Sequence, residues 1–265
     1  ELQEAIDHDR KNGFTPFCVV ANIGTVRTGA IDPIKEISII CKRESLWFHI
    51  DGAFGVFAKL LPEYKEMLKQ VDEADSIAFD LHKWMYIPYE AGCFFVKNKQ
   101  LLTDTFSLPT DYLSVHEKGL ASGPEPMSNL SIEMSRGFKA LKIWMMIKEH
   151  GITKISRSIK QNIIQAHYLA HLIEEESNLE LLSEVLLNVV CFRYKPNKDL
   201  QNDVLNKLNK EIVMQLQCRG IAAPSYTILN GMYAIRVANV NHRSRKSDFD
   251  MLIKCVIEIG DEITI

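Results

Sequence analysis

The sequence predicts an α/β fold, a mainly parallel sheet with helices on its faces, followed by a smaller α+β unit. Two patterns carry this expectation. Through the first part of the chain, short apolar β-rich runs alternate with stretches of helical spacing, the order that builds parallel sheets. Beyond Leu179 the order becomes strand, helix, strand, helix. The 265 residues suffice for one large or two modest domains, and the expected division is 1–150 and 151–265.

Glu1 to His8 reads as a helix entered part-way. Phe17 to Asn22 reads as a buried strand ending at the turn formers Gly24-Thr25. Ile31 to Arg43 has helical spacing of Ile34, Ile37, Ile40 and Cys41 behind Asp32-Pro33, an expected N-cap and first-turn proline. Leu46 to Asp51, Ser76 to Asp80 and Gly92 to Val96 are the next strands, the last open to an antiparallel return. Ser107 to Ser128, rich in proline and glycine, reads as a functional loop. Ser131 to His150 is expected to be helical, Gly151 to break it, and Ile152 to Glu176 to continue as a second helix. Val185 to Tyr194 and Tyr233 to Val240 are strands. Asp199 to Arg219 and Ser247 to Ile259 are helices.

Composition narrows the function. A net charge of −3 gives no reason to expect nucleic acid or an anionic membrane as partner. No apolar run approaches the length of a membrane span, and the charged N-terminus lacks a signal peptide's apolar centre. The six cysteines, Cys18, Cys41, Cys93, Cys191, Cys218 and Cys255, stand singly. Without a CxxC pair no metal site is expected; Cys18, Cys93 and Cys191 read as small core residues and the compartment as a reducing cytoplasm. Trp47, Trp84 and Trp144 read as core aromatics.

Two stretches carry the chemistry. Trp47-Phe48-His49-Ile50-Asp51-Gly52-Ala53 and Ser76-Ile77-Ala78-Phe79-Asp80-Leu81-His82-Lys83-Trp84 are apolar runs ending in polar residues, where an α/β sheet presents its ligands. A lysine at one strand end can hold an aldehyde as a Schiff base. A carboxylate at another can pair with a pyridinium nitrogen. Together they suit pyridoxal phosphate. Taken singly, Lys83 could be a solvated lysine, Asp51 a helix N-cap, and Gly24-Thr25 an ordinary turn.

From Phe17 to Ile259 these residues resemble the pyridoxal-phosphate-dependent group II amino-acid decarboxylases, the aromatic-L-amino-acid and glutamate decarboxylases. The resemblance implies the aspartate-aminotransferase-like fold, type I of the pyridoxal-phosphate enzymes. Residues 1–150 would be the C-terminal part of its cofactor-binding large domain, and 151–265 a connecting helix with a small α+β domain. It implies a longer N-terminal portion that supplies a stacking histidine, part of the phosphate cradle and much of a dimer interface. Lys83 would bind the cofactor aldehyde, Asp51 face the ring nitrogen and Ala53 pack under the ring. His82 would lie near the phosphate or the substrate carboxylate, and Thr25 near the cofactor, with Val26 where animal relatives carry a second threonine. Asp80 stands where those relatives often have asparagine and is expected to act behind the direct contacts. Tyr112 in Pro109-Thr110-Asp111-Tyr112 matches the loop tyrosine credited with protonating the substrate carbon; phenylalanine replaces it in relatives that form aldehydes. His116 is a weaker companion and Arg136 a structural residue. The implied activity is decarboxylation of an L-amino acid to an amine by a homodimer with shared active sites. The alternatives are oxidative deamination or carbon–sulfur lyase chemistry on the same scaffold, or a non-catalytic fragment.

Overall fold

A computed structural model of the chain describes residues 1–107, 118–119, 122–123 and 126–264. The chain opens with helix α1 (Leu2–Lys11), which buries Ile6. Strand β1 (Cys18–Asn22) leads through a turn to α2 (Ile34–Glu44), which turns Ile34 and Cys41 into the core. Asp32 does not cap this helix. Its Oδ2 accepts from the Asn22 N–H at 2.7 Å and from Asn22 Nδ2 at 3.1 Å, tying the helix entry to the end of β1.

Strands β2 (Trp47–Asp51) and β3 (Ser76–Asp80) follow, separated by short 3-10 turns, and β4 (Gly92–Val96) returns along β3. The first sheet has the order β1-β2-β3-β4. Its first three strands are parallel, with Asn22 beside Asp51 and Asp51 beside Ala78. β4 is antiparallel to β3, with Asp80 beside Gly92. Parallel pairing ends β1, β2 and β3 at one edge of the sheet.

After α3 (Lys99–Phe106), helix α4 spans Lys139–Glu175 and is broken at Gly151, whose φ of 71° and ψ of 154° are non-helical. The expected break is therefore present, but the helix starts eight residues later than Ser131. Ile132 and Phe138, within the stretch expected to be helical, lie exposed before it. Trp144 is 60% exposed and is not a core aromatic, whereas Trp84 is fully buried. Cys191 is buried as expected, while Cys18 and Cys93 are half-buried.

A second, wholly antiparallel sheet combines β5 (Leu179–Leu181), β6 (Val189–Tyr194), β7 (Ser225–Leu229) and β8 (Met232–Ala238) in the order β5-β6-β8-β7. Periodicity does not single out β5, which has three residues, or β7, which has five. Helices α5 (Asn202–Cys218) and α6 (Lys246–Thr264) pack with the second half of α4 over this sheet, around Phe192, Tyr194, Ile212, Leu216 and Val256. The other large cluster, around Ile23, Ile50, Leu68 and Trp84, underlies the first sheet.

Two glycines let the backbone close at the sheet edge. Gly24 has φ of +85°, and a Cβ there would meet the Phe54 ring at 2.8 Å. A Cβ on Gly55 would stand 2.3 Å from the Ile23 carbonyl oxygen, where only backbone movement could relieve it. Gly55→Ala is expected to lower the unfolding free energy by about 1–3 kcal/mol, the usual cost of overpacking. Urea unfolding measures this; a midpoint equal to wild type would contradict the close approach.

Candidate active site

The aligned strand ends bring the chemical residues together. Thr25 follows β1, Asp51 ends β2 with Ala53 just beyond it, and His82 and Lys83 lie in the turn after β3. All five line one cleft of about 900 Å³. A volume of this order suits a small-molecule cofactor with part of its substrate. Asp80 instead lines a neighbouring hollow of about 520 Å³, shared by Asp51 and Ala53 and open over His49, Cys93 and Phe94. Tyr112 and His116 lie outside the described residues.

Lys83 is held from both ends. Its N–H donates to the Asp80 carbonyl at 3.1 Å. Its Nζ pairs with Asp80 Oδ2 at 2.8 Å, a half-exposed contact. Asp80 thus meets the lysine itself.

Asp51 keeps one carboxylate oxygen for a ligand. Oδ1 accepts from the Ala53 N–H at 3.1 Å, which closes the turn after β2. Oδ2 has no partner among the described residues. The methyl of Ala53 forms part of the cleft wall, where a larger side chain would take up space.

His82 Nδ1 accepts from the Ala91 N–H at 3.0 Å, and Tyr89 packs edge-on to the ring at 4.8 Å. A backbone N–H can only donate, so a neutral His82 carries its proton on Nε2. Thr25 is partly committed to its own turn: Oγ1 accepts from the Ala30 N–H at 3.1 Å and lies 3.1 Å from Thr28 Oγ1. One hydroxyl hydrogen remains for Thr28 or for a ligand.

The second sheet supplies the far wall through Asn188, Val189, Leu229, Arg236 and Ala238. Arg236 Nε donates to the Val26 carbonyl at 2.9 Å and, less closely, to that of Arg27 at 3.2 Å, while Nη1 donates to Ser225 Oγ at 2.9 Å. Arg27 also lines the cleft. Reading the sequence missed both arginines. The available signal was a charged residue within the apolar run Tyr233 to Val240.

Behind Asp51, two residues earlier on β2, His49 Nδ1 lies 2.7 Å from Ser76 Oγ; Trp47 Nε1 donates to that oxygen at 2.8 Å, which leaves the Ser76 hydrogen for His49. Burial pushes the His49 ring below the usual histidine range, against the opposing pull of the Asp51 charge.

The chain belongs to the pyridoxal-dependent decarboxylase family: the model of the pyridoxal-dependent decarboxylase conserved domain matches residues 1–195. An aromatic-L-amino-acid decarboxylase of Bacillus atrophaeus is 32% identical over 264 residues, 100% of this chain and 55% of the relative. That of Manduca sexta is 31% identical over 93% of this chain and 46% of its own length. The chain spans about half the length of the curated relatives it matches. A crystal structure of Oryza sativa TDC with PLP and tryptamine superposes with a TM-score of 0.91 at 23% identity, covering 99% of this chain and 54% of that one, and shows the shared fold. Rhodiola rosea 4-hydroxyphenylacetaldehyde synthase superposes with a TM-score of 0.85 at 26% identity, covering 99% and 53%. The expected type I fold is the observed one.

The depressed His49 has a consequence for stability. A neutral ring in the folded state means that the unfolded chain binds a proton first as the pH falls. The stabilisation is complete above the ordinary histidine value of about 6.5 and is lost as the pH drops toward the lower folded value. His49→Asn, which keeps an acceptor for Ser76, is expected to flatten the fall in stability below about pH 6.5. Urea unfolding across that window tests it; parallel curves for the two proteins would refute the assignment.

Proposed function

We propose that this chain carries the catalytic lysine and the ring-nitrogen carboxylate of a pyridoxal-phosphate-dependent decarboxylase that converts an L-amino acid to its amine and carbon dioxide. The observation that carries the reading is the shared cleft: Lys83 and Asp51, 32 positions apart in sequence, line one cavity together with Ala53.

The residues present fit the cofactor. Asp51 offers a carboxylate oxygen with no partner among the described residues, Ala53 a small side chain, and Lys83 a primary amine on the same cavity. Bound there, pyridoxal phosphate supplies an electron sink for the pair left on the substrate carbon when carbon dioxide departs. Lys83 Nζ is the attachment point and must leave Asp80 Oδ2 to serve as one. Asp51 keeps a proton on the ring nitrogen, because an ionised carboxylate favours the charged form of its neighbour. Thr25 and His82 donate to oxygen atoms of the ligand, His82 through Nε2. By the resemblance, Tyr112 holds the proton delivered to the substrate carbon.

We also read residues 1–150 as part of the large domain and 151–265 as the connecting helix and small domain, a division supported by the break at Gly151. A homodimer with shared sites and a cytoplasmic location complete the proposal. The likeness to an aldehyde synthase supports oxidative deamination as the second reading; Tyr112 favours simple decarboxylation.

Two substitutions test these roles. Lys83→Ala is expected to abolish the visible absorption band of bound pyridoxal phosphate, and a band that survives would end the assignment. With Tyr112→Phe, the product of an L-amino-acid panel is expected to shift from amine toward aldehyde and peroxide. Aldehyde from the unsubstituted protein would reverse the role of Tyr112.

A further inference from the structure

Behind the lysine turn lies a network of buried carboxamides that none of the roles above uses. Its centre is Asn162, in the second half of α4 and fully buried. Asn162 Oδ1 accepts from Trp84 Nε1 at 3.1 Å and from the Tyr86 hydroxyl at 2.6 Å. Trp84 follows Lys83 directly, and Tyr86 is three residues beyond it. Asn162 Nδ2 donates to the Asn241 carbonyl at 3.1 Å. The Asn162 main-chain carbonyl accepts from Asn239 Nδ2 at 3.2 Å, which also donates to Gln165 Oε1 at 2.9 Å.

The chemistry fixes the orientation of this amide. An indole N–H only donates, so the atom facing Trp84 must be oxygen, and the other end must then be the donor that Asn241 receives. Burial pushes the Tyr86 phenol up to about 12, so its hydroxyl stays protonated as the second donor. Tyr86 has φ of 59°, a left-handed conformation uncommon for an aromatic residue. Its side chain is held by Asn162 on one side and by an edge-on contact with His242 at 5.3 Å on the other. Asn239 in turn joins the second sheet: its N–H donates to the Asn188 carbonyl at 2.9 Å and its carbonyl accepts from Asn188 Nδ2 at 2.8 Å.

We propose that Asn162 is a positioning residue for Lys83, and that it couples the lysine turn to residues 239–241, which follow β8 of the second sheet. A buried carboxamide suits this work better than an apolar side chain. Its bonds are directional, and each partner left unpaired in the core would carry a desolvation cost. The same oxygen serves both residues that shape the turn, so movement of α4 against the second sheet would reach Lys83 through one atom. The inference rests on Lys83 being the cofactor-binding lysine, but the network itself does not.

Hydrogen exchange of backbone amides, read by mass spectrometry with and without pyridoxal phosphate, tests the proposal on the chain as it stands. Asn162→Ala is expected to accelerate exchange at residues 83–87 and at 239–241 by about ten-fold relative to β6, the loss of one net hydrogen bond's protection. Tyr86→Phe removes one of the two lysine-side donors, leaves the bond to Asn241 in place, and is expected to accelerate 83–87 while sparing 239–241. In both variants the visible circular dichroism of bound cofactor should fall, because a loosened lysine no longer holds the ring in one orientation. Unchanged exchange at 83–87 in Tyr86→Phe overturns the proposal, even where Asn162→Ala fails to fold. So does acceleration spread evenly over β6, which would mean general destabilisation. If unsubstituted protein shows no cofactor signal, the proposed function fails, and the exchange pattern without cofactor still decides the role of Asn162.

Discussion

Parallel registry of the first three strands is the constraint on which the site depends. Side chains on one strand cannot choose their neighbours independently; once Asn22, Asp51 and Ala78 stand side by side, the chain leaving each strand must turn at the same edge. Those turns carry Thr25, Ala53 and Lys83. A parallel sheet needs its connections to cross back over a face, which is why α2 and the 3-10 turns between β2 and β3 cover one side while the strand-end turns stay open. The cleft is the geometric residue of that arrangement.

Its far wall comes from a part of the chain more than 100 residues later. The contact between the two sheets is polar where it meets the cleft: Arg236 spans the Val26 and Arg27 carbonyls, and the Cys191 thiol donates to the Arg27 carbonyl at 3.2 Å. Apolar contact continues behind it, where Gly29 approaches the Val189 side chain so closely that a Cβ would sit 3.2 Å from it. Fixed charges are distributed on opposing sides of the cavity, with Asp51 at a strand end, Arg236 on the second sheet, and Lys83 turned back onto Asp80. Pairing of Lys83 with Asp80 compensates the ammonium. The carboxamides behind the turn do their holding without adding net charge, which a buried region next to a charged cleft tolerates well.

Local patterns were legible where the local sequence decides the outcome. The runs 46–51 and 76–80 are strands within a residue of expectation, and the break at Gly151 follows from a residue free to take positive φ. A helix start that depends on tertiary neighbours is not encoded locally. Ser131 to His150 is rich in apolar residues, yet Ile132 and Phe138 remain exposed and the helix begins at Lys139. Spacing alone does not tell an apolar residue that packs within the chain from one that faces outward. Asp32 shows the same limit on a smaller scale: its type suits a helix cap, but the Asn22 backbone is nearer.

The amino-acid sequence by itself determined the chemical repertoire: a lysine after histidine at one strand end, a carboxylate followed by two small residues at another, and a family membership that follows from both. Covalent reactivity and small-residue tolerance are properties of residue type and short spacing, so they survive in one dimension. Only the tertiary structure decided that Arg236 lines the cleft and that Asn162 holds the lysine turn. These are contacts of directional groups across 76 or 78 positions at Asn162 and 209 or 210 at Arg236. No periodicity encodes such a pairing; it exists because packed sheets and helices bring one donor within 3 Å or so of one acceptor and exclude the water that would otherwise replace it.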